Sequence, residues 1–203
     1  MKKITKICAV LTVLFLLSST PVFAAGSKVN KVGTAKQELS YSCGAAAARN
    51  SVAGYYLPAR SMAWGFEDQF RVKLATSTGG TEFNATRWQN TLNAAAPGNN
   101  YTLKWGGGWS GTTMAYYVNQ TLNKAKNYNV IANPNHAATN YSNQYIHPYY
   151  AGKKVAHYVV IYGYNDNTRQ FYISDSNYNH NYRTYSCSYE QAAWATKTQG
   201  IIY

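Results

Sequence analysis

The chain has 203 residues, with 19 Lys and Arg against 7 Asp and Glu, for a formal net charge of +12. That length suits one domain with an apolar core. The basic residues are scattered with no Lys/Arg run, which argues against a nucleic-acid-binding surface.

The first residues read as a targeting segment. Lys2, Lys3 and Lys6 form a positive start, Ile7 to Leu17 is an apolar run broken by Thr12, and Val22-Phe23-Ala24 supplies small residues at a cleavage site. This is the pattern of a bacterial secretory signal peptide over residues 1–24. The run is shorter than the roughly 20 residues that a bilayer crossing needs. No later segment is long and apolar enough to anchor the chain, so a secreted protein without a membrane span is expected. Removing those residues takes away three lysines and no acid, leaving 179 residues at +9. Such a charge favours retention near an anionic cell wall.

Of the three cysteines, the mature chain keeps Cys43 and Cys187. One pair is too few for a disulfide framework. Two readings remain open: a bridge between them, or one reactive thiol and one packed in the core.

Residues 25–36 are polar and read as a flexible N-terminal segment ahead of a domain over 37–203. The small residues Ala45 to Ala53 predict a buried helix starting near Cys43, and Pro58 closes that region. Ser61 to Phe70 reads as a short second helix. In Ala85 to Ala95, Trp88 and Leu92 stand four apart, a helical spacing. Pro97-Gly98-Asn99-Asn100 is a turn signal. Tyr101 to Trp105 alternates as a strand. Thr112 to Lys126 reads as a helix with Met114, Val118 and Leu122 on one face. Val130-Ile131-Ala132 is a short strand. Residues 133–154 form a long Asn-, Tyr- and His-rich loop of the kind that is usually functional or mobile. His157 to Tyr164 is a run of β formers that predicts a central strand buried on both faces. It turns at Asn165-Asp166-Asn167 and returns over Arg169 to Ser174, with Asp175 at the end. Ser188 to Thr196 reads as a helix and Gly200 to Tyr203 as a last strand. Helices first and strands later indicate an α+β arrangement.

Cys43 stands where a helix begins, and exposed N–H groups and the helix dipole there favour a thiolate. Gly44 would let a substrate backbone approach. The plainer alternative is a buried small apolar residue, the common fate of a free cysteine. A nucleophilic thiol needs an imidazole to share its proton, and His157 opens the most β-prone strand. A third group must fix the imidazole's tautomer. In a hairpin turning at 165–167, position 157 pairs near Asp175, so the spacing brings the two side chains close. Asp175 alternatively caps the turn at Ser176-Asn177. Gln37, six residues before Cys43, offers an amide as an oxyanion donor, and otherwise is an exposed Gln. His136, His147 and His180 lack metal-ligand spacing, so no zinc or other cofactor is expected. Gly106-Gly107-Gly108 lacks the Lys-Ser/Thr of a phosphate loop.

Gln37, Cys43-Gly44-Ala45-Ala46, the run Ala156 to Tyr164 and Ile173-Ser174-Asp175, in that order, resemble the C39-like branch of papain-fold cysteine peptidases. Gly79-Gly80-Thr81, Thr91-Leu92-Asn93 and Trp194 near Gly200 resemble its secreted members. The chain departs from the pattern at Ala45 and Ser176, where such families usually carry proline. The resemblance covers residues 35–203. It implies a papain-like α+β fold, with N-terminal helices packed on an antiparallel sheet. It further implies Cys43 as nucleophile, His157 as base, Asp175 as orienting group and Gln37 as oxyanion donor. The expected partner is a peptide or protein substrate, handled by a monomer. Two other outcomes stay open: hydrolysis of peptidoglycan peptides or amides, and an inactive binding protein or toxin on the same scaffold.

Overall fold

In the computed structural model the described residues are 26–56, 66–135, 145–153, 155–177, 179, 181 and 183–203. The signal-peptide reading of residues 1–24 and the start of the second predicted helix, 61–65, lie outside them, as do His136 and His180.

The frame is a seven-stranded sheet, antiparallel throughout, with helices on both faces. In chain order the elements are β1 (Ser27–Val29), α1 (Cys43–Tyr56), α2 (Glu67–Lys73), α3 (Ala85–Ala95), β2 (Leu103–Trp105), α4 (Gly111–Leu122), β3 (Val130–Asn133), a 3-10 turn (Pro148–Tyr150), β4 (Val159–Asn165), β5 (Gln170–Asp175), β6 (Thr184–Ser188), α5 (Tyr189–Ala195) and β7 (Gly200–Ile202). The strands run β2-β7-β3-β4-β5-β6, and β1 pairs with the far end of β4. This is the α+β, papain-like architecture anticipated above, with one addition. The N-terminal helices α1 to α3 cover only one face, and α4 and α5 cover the other.

The alternation of β4 explains how one strand serves two cores. Tyr158 and Val160 point to the layer of α1 to α3, with Trp88, Leu92 and Val52. Val159 and Ile161 point to the layer of α4 and α5, with Val118, Leu122 and Ala192. A strand buried on both faces therefore reads as a continuous apolar run. Helix α1 shows the same logic. Ala45, Ala46, Ala47 and Ala48 are all buried, so the helix is enclosed rather than amphipathic, and small side chains bring its backbone close to β3 and β4.

Two predicted features need correction. Residues 26–36 are not loose: β1 pairs with Tyr164 and its neighbours, and Asn30 N–H donates to Tyr162 O at 2.8 Å. Polar residues satisfy this irregular backbone. Asn50 Nδ2 donates to Ala35 O at 2.9 Å, Asn129 Nδ2 to Lys31 O at 3.0 Å, and Ser174 Oγ to Gly33 O at 2.7 Å. The close approach depends on Gly54, where a Cβ would stand 1.9 Å from Lys31 O. The hairpin register also differs. The turn is wider, closing with Asn165 opposite Gln170, and a bulge at Tyr162 shifts the pairing so that Asp175 faces Val159. Gly163 permits the bulge, because a Cβ there would lie 2.7 Å from the Tyr172 ring and 2.8 Å from Lys28 O.

Helix α5 begins with a full capping box. Ser188 Oγ accepts from Gln191 N at 3.1 Å, and Gln191 Oε1 accepts from Ser188 N at 2.9 Å. Replacing Ile161, which has no exposed surface, by Ala is expected to lower stability by about 2–5 kcal/mol. Urea titration should show an earlier midpoint with an unchanged slope.

Candidate active site

The strand register sets Asp175, Val159, Ala132 and then Asn133, Gly200 and Trp105 along one end of the sheet. His157 lies just ahead of β4 at this end. Its main-chain N–H donates to Pro134 O at 2.9 Å, so its backbone is held although it is outside the strand. The N-terminus of α1 reaches the same place from the other direction.

His157 and Asp175 are both buried, Asp175 completely. His157 Nε2–H donates to Asp175 Oδ1 at 2.7 Å. A carboxylate only accepts, which fixes the tautomer and leaves Nδ1 as the ring nitrogen available to the Cys43 thiol. Burial by itself would depress the His157 pKa. The charge and hydrogen bond of Asp175, joined by those of Cys43, push it up to about 10. Burial works to raise the Cys43 thiol. His157 and the backbone N–H groups of Tyr158 and Gly44 outweigh it and hold the thiol below its ordinary value. Both shifts favour the thiolate–imidazolium form of the pair over the neutral one.

Among the described residues, several donors hold Asp175. Besides His157, Oδ1 accepts from Asn177 N–H at 2.7 Å. Oδ2 accepts from the hydroxyls of Tyr150 and Tyr185, at 2.8 and 2.9 Å. The turn-capping alternative for Asp175 and its contact with His157 therefore hold at once, one through each lone pair of Oδ1.

The loop before Cys43 rests on a second buried carboxylate. Glu67 has no exposed surface. It accepts from Glu38 N–H at 3.0 and 3.1 Å and from the Ser42 hydroxyl, and it pairs with Arg49 at 3.2 Å. Arg49 also donates to Lys36 O at 2.7 Å. Residues 36–42 are thereby fixed to α1 and α2, and the start of α1 with them. Leu39 N–H donates to Ser42 Oγ at 3.1 Å, which tightens the turn into Cys43.

Gln37 lies on this loop and is buried. Its N–H donates to Ser176 O at 2.9 Å, next to Asp175, and its side-chain Nε2 donates to Leu39 O at 2.7 Å. One amide proton remains. The structure thus joins His157 to Asp175 by a direct hydrogen bond and sets the Cys43 thiol beside His157, where the two influence each other's protonation. Gln37 sits on the loop between Asp175's neighbour and Cys43, with its amide partly engaged.

Gly44 has a reason that the sequence reading missed. A Cβ there would lie 2.5 Å from the side chain of Thr81. Thr81 also accepts through its carbonyl from the Tyr158 hydroxyl at 3.0 Å, and Tyr158 stacks on Trp88 with ring centroids 5.0 Å apart. Gly44 is the gap through which the Gly79-Gly80-Thr81 turn packs against the helix start.

Cys43 and Cys187 are both free thiols, so the bridge reading is corrected. They belong to cores on opposite faces of the sheet, too far apart in the fold to be linked. Burial pushes the Cys187 thiol up to about 12, as befits a packing residue. His147 caps the 3-10 turn by accepting from Tyr149 N–H at 3.1 Å. Among the described residues no group of three or more His, Cys, Asp or Glu is gathered as a metal site, and no helix is long and apolar enough to cross a membrane.

The family model described as Peptidase_C39 like matches residues 29–201. The chain belongs to the Peptidase_C39-like family. The match spans both helical layers and strands β2 to β6 in full, and it takes in the last residue of β1, Val29, and the first two of β7. No curated protein matches the chain. Membership supports a peptidase, and the family's papain-like fold agrees with the arrangement of α1 against the sheet.

Of the residues around the site, Tyr150, Tyr185, Asn177, Glu67 and Arg49 were not singled out from sequence. The length of the 133–154 loop was a pointer to Tyr150. The others become neighbours only through folding.

Two outcomes follow. Iodoacetamide should label Cys43 of the native protein at neutral pH and below, because its thiol is depressed, and should spare Cys187 until the chain is unfolded; intact mass and peptide mapping read both. Gly44→Ala should cost about 1–3 kcal/mol through collision with Thr81, seen as a lower unfolding midpoint.

Proposed function

We propose that this Peptidase_C39-like protein is a secreted cysteine peptidase. The observation that carries the reading is the succession of thiol, imidazole and carboxylate: Cys43 beside His157, which helps to hold the thiol below its ordinary value, and His157 Nε2 donating to Asp175 at 2.7 Å.

In the proposed reaction the Cys43 thiolate attacks the carbonyl carbon of a peptide bond. The C–S bond forms as the carbonyl π bond becomes an oxyanion. The Cys43 backbone N–H, exposed at the start of α1, and the remaining amide proton of Gln37 are the donors assigned to that oxygen. As the tetrahedral species collapses, the C–N bond breaks and the imidazolium of His157 gives its proton to the leaving amine. Neutral His157 then takes a proton from water, which attacks the thioester and releases the acid. Asp175 keeps the imidazole in the tautomer that presents Nδ1 to sulfur throughout.

The signal-like residues 1–24 support export, and the mature charge of +9 supports retention near an anionic cell wall. Peptide chains are the preferred substrates over wall cross-links because the family is one of peptidases.

Cys43→Ala should abolish hydrolysis of a denatured protein or mixed peptide library, and His157→Ala should reduce it by about 10²–10⁴-fold. Gln37→Ala should lower kcat by about 10²–10³-fold with a smaller change in KM. Undiminished turnover by Cys43→Ala would refute the mechanism. Release of soluble fragments from purified cell walls, without cleavage of any peptide in the library, would move the substrate to peptidoglycan.

A further inference from the structure

The Tyr150 ring packs beside the His157 imidazole, with centroids 5.6 Å apart, and Tyr150 and Tyr185 both aim their hydroxyls at one atom, Asp175 Oδ2, at 2.8 and 2.9 Å. They reach it from separate parts of the chain, the 3-10 turn Pro148–Tyr150 and β6. The direction of the Tyr150 proton is itself fixed. Asn177 Nδ2 donates to the Tyr150 oxygen at 2.8 Å, so the hydroxyl accepts there and donates to Asp175. Oδ1 is filled by His157 and by Asn177 N–H. Among the described residues, the carboxylate thus accepts from His157, from Asn177 and from two tyrosines.

We propose that Tyr150 and Tyr185 are positioning residues: they hold Asp175 ionised and in the one rotation that turns Oδ1 to His157, and so set the lower pH limit at which the Cys43–His157 pair operates. This rests on the thiol-peptidase reading above.

The physics is that of a carboxylate without solvent. Asp175 has no exposed surface, so its charge depends on donors supplied by the protein. A carboxylate accepting several hydrogen bonds favours its charged form, and removing donors favours protonation. A protonated Asp175 no longer balances an imidazolium at His157, and the thiolate loses its counterion in turn. Activity at the acid end therefore depends on Oδ2 being occupied.

Among the described residues, the neighbouring titratable groups Arg183, His147 and Cys187 have contacts of their own. Arg183, just ahead of β6, accepts from Asp175 N–H through its carbonyl at 2.9 Å and directs its guanidinium to Asn177 O at 2.7 Å. His147 packs its ring on Tyr185, with centroids 4.5 Å apart. Cys187, also beside Tyr185, is buried and its thiol is raised to about 12, so it is neutral here.

The test is the rate of Cys43 alkylation by iodoacetamide from pH 3 to 9. It is measured on the native chain and on Tyr150→Phe, Tyr185→Phe and the double variant, with unfolding midpoints recorded for each. Tyr189→Phe is the control: Tyr189 makes a matched Tyr-to-Asp bond, to Asp166 Oδ1 at 2.7 Å, away from the thiol. The native protein is expected to stay reactive well into acid. The double variant should move the acid limb up by about one pH unit, a roughly tenfold slower reaction on that limb. The singles should move it less and Tyr189→Phe not at all. If the double variant does not fold, an upward shift in the singles carries the proposal. A limb unmoved in folded Tyr150 and Tyr185 variants overturns it. A native protein that reacts only in the ordinary thiol range, near pH 8.5, instead refutes the thiol-peptidase reading itself.

Discussion

A carboxylate that water does not reach lies beneath the His157 imidazole, and the rest of the site is arranged to keep it charged. Removing an ion from water costs several kcal/mol even after the protein relaxes. A hydrogen bond to a charged group returns about 1.5–3 kcal/mol. One donor does not offset the cost, but several do. Asp175 accepts from His157, Asn177, Tyr150 and Tyr185. The order along β5, the 3-10 turn and β6 is thus tied to a single side chain. The raised His157 and the depressed Cys43 follow from that charge, passed through the ring.

A second buried carboxylate does the corresponding work on the thiol's side. Glu67 gathers Arg49, the Ser42 hydroxyl and Glu38 N–H, and fixes the turn from which α1 starts. The distance between sulfur and imidazole is therefore set from two anchored ends. One is a loop held by a helix–helix ion pair, and the other is a strand mouth held by a sheet. Neither anchor is exposed, so neither is weakened by salt as a surface pair would be. The small residues carry the fine adjustment. Gly44 admits Thr81, Gly54 admits the N-terminal segment, and Gly163 allows the bulge that offsets β4 from β5.

Local signals in the sequence translated well into local structure. The apolar run from Tyr158 became a strand buried on both faces, because its residue types leave no polar side to expose. The Ser188 start and Thr196 end of α5 were readable because capping is a matter of three or four adjacent residues. The N-terminal segment was misread for the complementary reason. It is polar, and its order comes from Asn50, Asn129 and Ser174, which lie far away in the chain. Strand β6 went unnoticed because its pairing with β5, rather than its own pattern, makes it a strand. The layer of α4 and α5 on the second face was likewise implicit only in their apolar stripes.

Sequence alone determined the helix that begins at Cys43, the strand behind His157, the hairpin that ends at Asp175 and the resemblance to a peptidase family, since each depends on neighbouring residues or on their order. Only the tertiary structure decided that the two cysteines lie on opposite faces of the sheet, that Gly44 makes room for Thr81, and that two tyrosines and an asparagine donate to Asp175. Those facts depend on side chains meeting across separate elements. A one-residue bulge at Tyr162 was enough to change which residues meet, and residue types and spacings do not encode such a shift.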